Sequence, residues 1–362
     1  MSEFSNDDSS TCPIHVPTVP SFDHPRKMGL GARVRHTARR LRAVMRAAEE
    51  TIGVESADGV TVVVRKRGGD GRTDPGKTVL LAHANGFHGG VFAPMMDAFV
   101  AAGYACYALD FRGHGKSGRA VKGEYTWKAL TDDCAAVVTA LGLHGCHAFG
   151  HSCGGHALLM CEARRPGTFR SVYAFEPIFI VSPEALPGMD VSPGSPLMAS
   201  TAYMVKSASR RRSTFTNAAE ALQAYKSKMP MSAWNADALD AYVNTGGFVD
   251  DPSGAGVTLA CASETEISIY QAGDKETEAF SKLNKVSCPV VIAKGTSFAS
   301  DGTSPIYSAV IAPAIAREVR RGTLVEFPDN SHLGPMEIPL EVAQSALDFI
   351  AGVGEARQIS KL

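Results

Sequence analysis

Ser152 stands in Gly150-His151-Ser152-Cys153-Gly154, a G-x-S-x-G pattern between an apolar run from Cys146 and the helix-like run Ala157-Leu158-Leu159-Met160-Cys161. A serine hydroxyl attacks a carbonyl only when it is held clear of the backbone, beside a base and facing donors for the developing oxyanion. A sharp strand-to-helix turn does this, and glycines on both sides remove the Cβ atoms that would block it. The pentapeptide also suits an ordinary strand-helix connection, so its weight comes from three further segments in the chain order such chemistry needs.

The first is upstream. Thr78-Val79-Leu80-Leu81-Ala82-His83 reads as a buried strand running into Ala84-Asn85-Gly86-Phe87-His88-Gly89-Gly90, a loop with little bulk to screen its N–H groups. The backbone N–H groups of Asn85 and Cys153 are the expected oxyanion donors. The second is the strand Tyr104 to Asp110, ending in Phe111-Arg112-Gly113-His114-Gly115. His114 there reads as structural, because its loop lies before the nucleophile and carries its own turn chemistry. The third closes the set. Leu324-Val325-Glu326-Phe327 reads as a last strand, and His332 is the one histidine of 11 in a loop after it, where a serine-acid-histidine order requires the base.

With these residues in view the chain resembles the α/β-hydrolase superfamily over roughly residues 50 to 355. The segments around Asn85, Arg112 and Ser152, with Phe175-Glu176-Pro177-Ile178, are similar to microbial and fungal serine hydrolases described only as esterase- or lipase-like. The resemblance implies a mostly parallel, doubly wound sheet with a helical cap and names no substrate; hydrolysis of an ester or thioester of an apolar acyl substrate is expected. It implies no metal and no organic cofactor. Acyl transfer and C–C bond hydrolysis run on the same triad, and some proteins of this fold only bind ligands, as receptors do.

The triad acid departs from the common family pattern. Many members carry an aspartate in a G-x-x-D turn after the penultimate strand; here the turn reads Gly295-Thr296-Ser297-Phe298, and Asp301 comes three residues late. Other members, some haloalkane dehalogenases among them, place the acid after the strand that follows the nucleophile helix, and Glu176 closes such a strand. A carboxylate there is costly to bury without a partner, which a histidine N–H supplies. Glu176 is therefore preferred, with Asp301 as the alternative.

The elements that must position these residues follow from patterning. Thr51 to Arg67 suggests a hairpin turning at Asp58-Gly59, after which strands alternate with helices to residue 176. The core is expected over 51–177 and 288–355, with a cap over 178–287 that excludes water and selects the substrate. Phe179, Met198, Tyr203, Met204, Met231 and Trp234 are candidates either for an acyl pocket or for the cap's own core. Arg210-Arg211-Arg212 reads as a solvated basic loop. Residues 1–27 read as disordered and 28–50 as a basic amphipathic helix that docks on the core.

With 362 residues, 44% hydrophobic content and net charge −1, the chain can bury one large core. Near-neutral charge argues against nucleic acid as the main partner. No apolar stretch reaches membrane-spanning length, no signal peptide opens the chain, and eight scattered cysteines suit a reducing compartment. Residues 356–362 form a tail whose Ser360, Lys361 and Leu362 match the tripeptide read by the peroxisomal import receptor. A peroxisomal matrix location is expected, with the cytoplasm as the alternative.

Overall fold

The computed structural model describes residues 49–69, 74–120, 125–192, 194–273, 275–297 and 306–359. The segment expected as disordered, all but the last two residues of the expected basic helix, Asp301 and the terminal Ser360, Lys361 and Leu362 lie outside the described residues. Glu50, assigned to the end of that helix, instead opens the first strand.

Eight strands form one sheet: β1 (Glu50–Glu55), β2 (Thr61–Arg67), β3 (Thr78–Ala82), β4 (Ala105–Asp110), β5 (Cys146–His151), β6 (Phe169–Phe175), β10 (Val290–Lys294) and β11 (Gly322–Glu326). Their order is β1-β2-β4-β3-β5-β6-β10-β11. The β1–β2 hairpin and the β2–β4 pair are antiparallel, and all pairs from β4 to β11 are parallel. This is the α/β-hydrolase fold. Every residue of β3, β4, β5 and β10 is buried, as expected of strands covered on both faces.

The pleat sends alternate residues into two cores. Leu80, Ala148 and Ile292 face one core, shared with α2 (Trp127–Ala140), α3 (Cys153–Arg164) and α8 (Tyr307–Glu318). Val79, Leu81, Phe149 and Val291 face the other, which holds α1 (Ala93–Ala101) and α9 (Pro339–Ile359). Strand order reverses at β3: the chain passes to β4 on one side, then crosses to β5 on the other. Ligands of open α/β sheets bind beyond the carboxyl ends of the strands at such a switch. The loop holding Asn85 and the turn holding Ser152 leave the sheet there.

Between β6 and β10 lie α4 (Ser200–Arg210), α5 (Ala218–Lys226), α6 (Ala236–Tyr242) and α7 (Ser263–Gly273). This segment also holds a three-stranded antiparallel sheet, ordered β7 (Thr214–Phe215), β9 (Val257–Leu259), β8 (Phe248–Asp250), which sequence patterning does not anticipate. The insertion is hydrogen-bonded to the core at several points. Trp127 Nε1 donates to Ile269 O at 2.8 Å, Asn235 N to Met336 O at 2.9 Å, and Arg65 Nη2 to Thr245 O at 2.5 Å.

Candidate active site

Ser152 occupies the turn between β5 and α3 with φ 56° and ψ −122°, a strained conformation for a side chain-bearing residue. Two close approaches require the flanking glycines. A Cβ on Gly150 would lie 2.6 Å from Gly155 Cα, and one on Gly154 would lie 2.3 Å from Ala82 O, so the turn can press against β3 only without those side chains. Ser152 N–H donates to Phe175 O at 3.0 Å, fixing the serine to the end of β6.

The next residue after Phe175 is Glu176, fully buried and also at positive φ, 43°. Its N–H donates to Ala293 O at 2.7 Å on β10. Its carboxylate takes three donors: Gly295 N at 2.7 Å on Oε1, with Ser308 Oγ at 2.5 Å and His332 Nδ1 at 2.7 Å on Oε2. Burial alone would raise the Glu176 pKa, but the bond and charge of His332, then Ser308 and Gly295, outweigh it and hold the group below its ordinary value. Because a carboxylate only accepts, the His332 proton resides on Nδ1, which leaves Nε2 as a lone-pair base.

The His332 loop is tied down on both sides. Phe327 N donates to Lys294 O at 2.8 Å, Thr296 N to Asn330 O at 2.8 Å, and Ser331 bonds Glu337. His151 Nε2 donates to the His332 carbonyl at 2.8 Å, and the two imidazoles stand 4.7 Å apart. The His332 side chain keeps 28% of its surface exposed, while its partner Glu176 has none. The structure thus brings Ser152, Glu176 and His332 onto adjoining loops; Ser308 and His151, not singled out from the sequence, join them.

Asn85 is buried, and the Cys153 thiol lies 3.8 Å from His83 O at the start of the same loop, so the two expected oxyanion donors belong to neighbouring segments. Burial pushes that thiol up to about 12, which keeps Cys153 a neutral packing group. Its N–H lies in the first turn of α3, where an amide has no carbonyl within the helix to bond. Asn85 Nδ2 donates to Glu266 O at 2.8 Å. His114 braces the same loop: its Nδ1 donates to Arg112 O at 3.0 Å and its Nε2 accepts from Gly86 N at 3.1 Å. The structural reading of His114 agrees with this. Asp110 accepts from Gly89 N at 2.7 Å and pairs with buried Arg65, and His88 Nε2 donates to Tyr242 O at 2.9 Å.

Other candidates separate. Trp234 is buried against Phe87, whereas Phe179 is buried on His156, and Met198, Tyr203 and Met204 are exposed. Met231 packs in the core that Trp234 shares. The solvated basic loop needs correction. Arg212 pairs with Glu220 at the surface, but Arg211 is drawn inward to Glu266 because that carboxylate is buried against Gly86 and requires a cation. No cluster of three metal-ligating side chains occurs among the described residues, and none of their helices is long and apolar enough to cross a membrane.

The buried histidines predict acid lability. Burial holds His114 down to about 4 and His156 to about 3, so both are neutral in the folded chain, whereas unfolded imidazoles gain protons below about 6.5. Stability therefore rises with rising pH, and is lost as pH falls, wherever the unfolded chain binds more protons. Each of the two should cost about 1.4 kcal/mol per pH unit between 6.5 and its folded value. Urea melts at pH 7.5, 6 and 5 should show a steep decline below 6.5; equal stabilities at 7.5 and 5 would contradict this.

A sequence profile of the alpha/beta hydrolase family matches residues 79–345. The chain is 34% identical over 90 residues to a protein named carbamate hydrolase RutD of Caulobacter sp. (strain K31), covering 25% of this chain and 33% of that one. It is 36% identical over 104 residues to a monoacylglycerol lipase of Mycolicibacterium smegmatis, covering 28% of this chain and 37% of that one. These matches span about a third of each relative's length. Among solved structures, E-2-(acetamidomethylene)succinate hydrolase superposes with a TM-score of 0.66 at 20% identity, over 84% of this chain and 100% of the other. The peroxisomal alpha-beta-hydrolase Lpx1 of Saccharomyces cerevisiae gives 0.63 at 15% identity, over 85% and 90%. Sheet order, the strained serine turn and a profile match across most of the chain converge: the protein is a member of the alpha/beta hydrolase family.

Proposed function

We propose that the protein is a serine hydrolase that cleaves a carboxylic ester or thioester of a small acyl substrate through an acyl-enzyme. The observation that carries this reading is the 2.7 Å bond from His332 Nδ1 to Glu176, whose neighbour Phe175 holds the Ser152 backbone. His332 Nε2 takes the Ser152 proton as Oγ attacks the carbonyl, and the Asn85 and Cys153 N–H groups receive the oxyanion. His332 then protonates the leaving group. Water, activated by the same imidazole, cleaves the acyl-enzyme. Glu176 orients the ring and stabilises its charged form. The names of the two relatives above, a carbamate hydrolase and a monoacylglycerol lipase, support attack on a carbonyl bearing a heteroatom leaving group.

Steady-state and stopped-flow assays on p-nitrophenyl esters and acyl-CoAs of graded chain length test it. A burst of p-nitrophenol equal to the enzyme concentration, followed by slower turnover, is expected. Absence of turnover on every ester and thioester would favour C–C bond hydrolysis or a ligand-binding role.

The proposal extends to the peroxisomal matrix, with Ser360, Lys361 and Leu362 contacting the import receptor. An N-terminal fluorescent fusion should form puncta that coincide with a peroxisomal marker, and deletion of residues 360–362 should disperse them without lowering esterase activity in lysate. Puncta that survive the deletion would contradict that address.

A further inference from the structure

The loop that carries the Asn85 N–H is fixed from two directions. On the core side, the carbonyl of the same peptide, Ala84 O, accepts from His83 Nδ1 at 2.7 Å and from Phe87 N at 3.2 Å. Because a peptide is planar and trans, holding that carbonyl sets the opposite direction for the Asn85 N–H. The other side is held by the insertion between β6 and β10. Asn85 Nδ2 donates to Glu266 O at 2.8 Å on α7, and Tyr242 Oη at the end of α6 donates to Gly86 O at 3.4 Å. The Glu266 carboxylate itself lies against Gly86, so closely that a Cβ there would stand 2.9 Å from Oε1.

Glu266 is held in turn within the insertion. It is buried, Arg211 Nη2 pairs with its Oε2, and Tyr270 Oη donates to its Oε1 at 3.2 Å. A cation on one oxygen and a hydroxyl on the other fix the orientation of a buried carboxylate, and a buried charge that loses its partner is costly. Its main-chain oxygen belongs to α7, and a carbonyl has two lone pairs, one for the helix and one for the Asn85 amide. An oxyanion donor acts only when it is held within about 0.5 Å of its productive position. A backbone N–H is present whatever the side chain, so the Asn85 amide, spent on Glu266, has a part of its own.

Resting on the serine-hydrolase reading, we propose that Glu266 and Arg211 of the insertion are positioning residues: through the Asn85 side chain they hold the loop so that the Asn85 N–H meets the oxyanion. The insertion thereby contributes to the oxyanion site itself. Both residues act through Asn85 and not on the substrate. Misplacing an oxyanion donor is felt in the transition state, so loss of the brace falls on kcat and leaves KM near its wild-type value.

Two variants test this on p-nitrophenyl butyrate. Asn85→Ala keeps the backbone N–H and loses only the anchor, and Glu266→Gln combined with Arg211→Met removes the ion pair without leaving a lone buried charge. With folding verified by circular dichroism, each should lower kcat about tenfold or more, short of the roughly 10²- to 10³-fold cost of losing a donor outright, with KM within about threefold of wild type. Arg210→Ala, at the exposed neighbour, should change neither constant. All three substitutions together should cost less than the product of the two losses, because both variants break one brace. Wild-type kcat in folded Asn85→Ala, a loss confined to KM, or losses that multiply would each overturn the proposal. Where the double variant does not fold, Asn85→Ala decides alone. Amide hydrogen exchange gives a readout independent of turnover: residues 84–88 should exchange about tenfold faster in both variants while β5 keeps its protection. Unchanged exchange in that segment rejects the brace. If the wild type cleaves no ester, the serine-hydrolase reading falls by itself, and the exchange result alone upholds or rejects the brace.

Discussion

Replacing Ser152 with alanine should lower kcat on p-nitrophenyl esters by about 10⁴- to 10⁶-fold, the range seen when a nucleophile is removed from an intact triad. The residual rate would come from the oxyanion donors and binding alone. KM should change little, because the hydroxyl contributes to the transition state rather than to ground-state binding. Folding should survive. The hydroxyl adds nothing to either core, and alanine at φ 56° bears the same strain that serine already bears, about 1–3 kcal/mol. Thermal melts of the two proteins should agree within a few degrees. Wild-type kcat in the alanine variant would remove serine from the mechanism altogether.

Glu176→Gln should lower kcat by about 10³- to 10⁴-fold with the fold retained. The amide oxygen can still accept from Gly295 N, and the amide NH2 in place of Oε2 can donate to Ser308 Oγ, so the loop keeps its anchors. What is lost is the negative charge opposite His332, together with the preference for the proton on Nδ1. Asp301→Asn should leave kcat within a few-fold of wild type. A reversal of the two effects would move the acid to the loop after β10. Because the Glu176 pKa is held below its ordinary value, the wild-type carboxylate stays ionised, and keeps its partner oriented, at acidities where a free glutamate has begun to take up a proton.

The parts of this molecule that could be read from its sequence are those governed by local rules. Val79–Ala82 and Val290–Ala293 are continuous apolar runs, which is how strands buried on both faces look. The elbow was legible because only glycine tolerates backbone atoms at the distances found beside Gly150 and Gly154. Glu176 stood out as a carboxylate closing an apolar strand, a placement that demands a buried partner.

What escaped depends on contacts between distant segments. Strands of two or three residues, such as Thr214–Phe215, are too short to display a period. Ser308 is one serine among many until α8 carries it to the Glu176 carboxylate, 132 positions away in the chain. Arg211 looks like the middle of a solvated basic triplet, and its burial is decided by Glu266, 55 positions on, and by the tyrosines around it. His114 reads as structural from its place before Ser152, but its bond to the Gly86 N–H, which braces the loop holding Asn85, is visible only in the fold.

The most direct measurement is identification of the residue that carries the acyl group. Enzyme treated with a fluorophosphonate, or quenched in acid during the burst with a p-nitrophenyl ester, should be digested and analysed by tandem mass spectrometry. A single adduct on Ser152, formed with one equivalent of reagent and absent from Ser152→Ala, is the result expected of a His332-activated nucleophile. An adduct on another side chain, or ester turnover at the wild-type rate with Ser152 unlabelled, would contradict it.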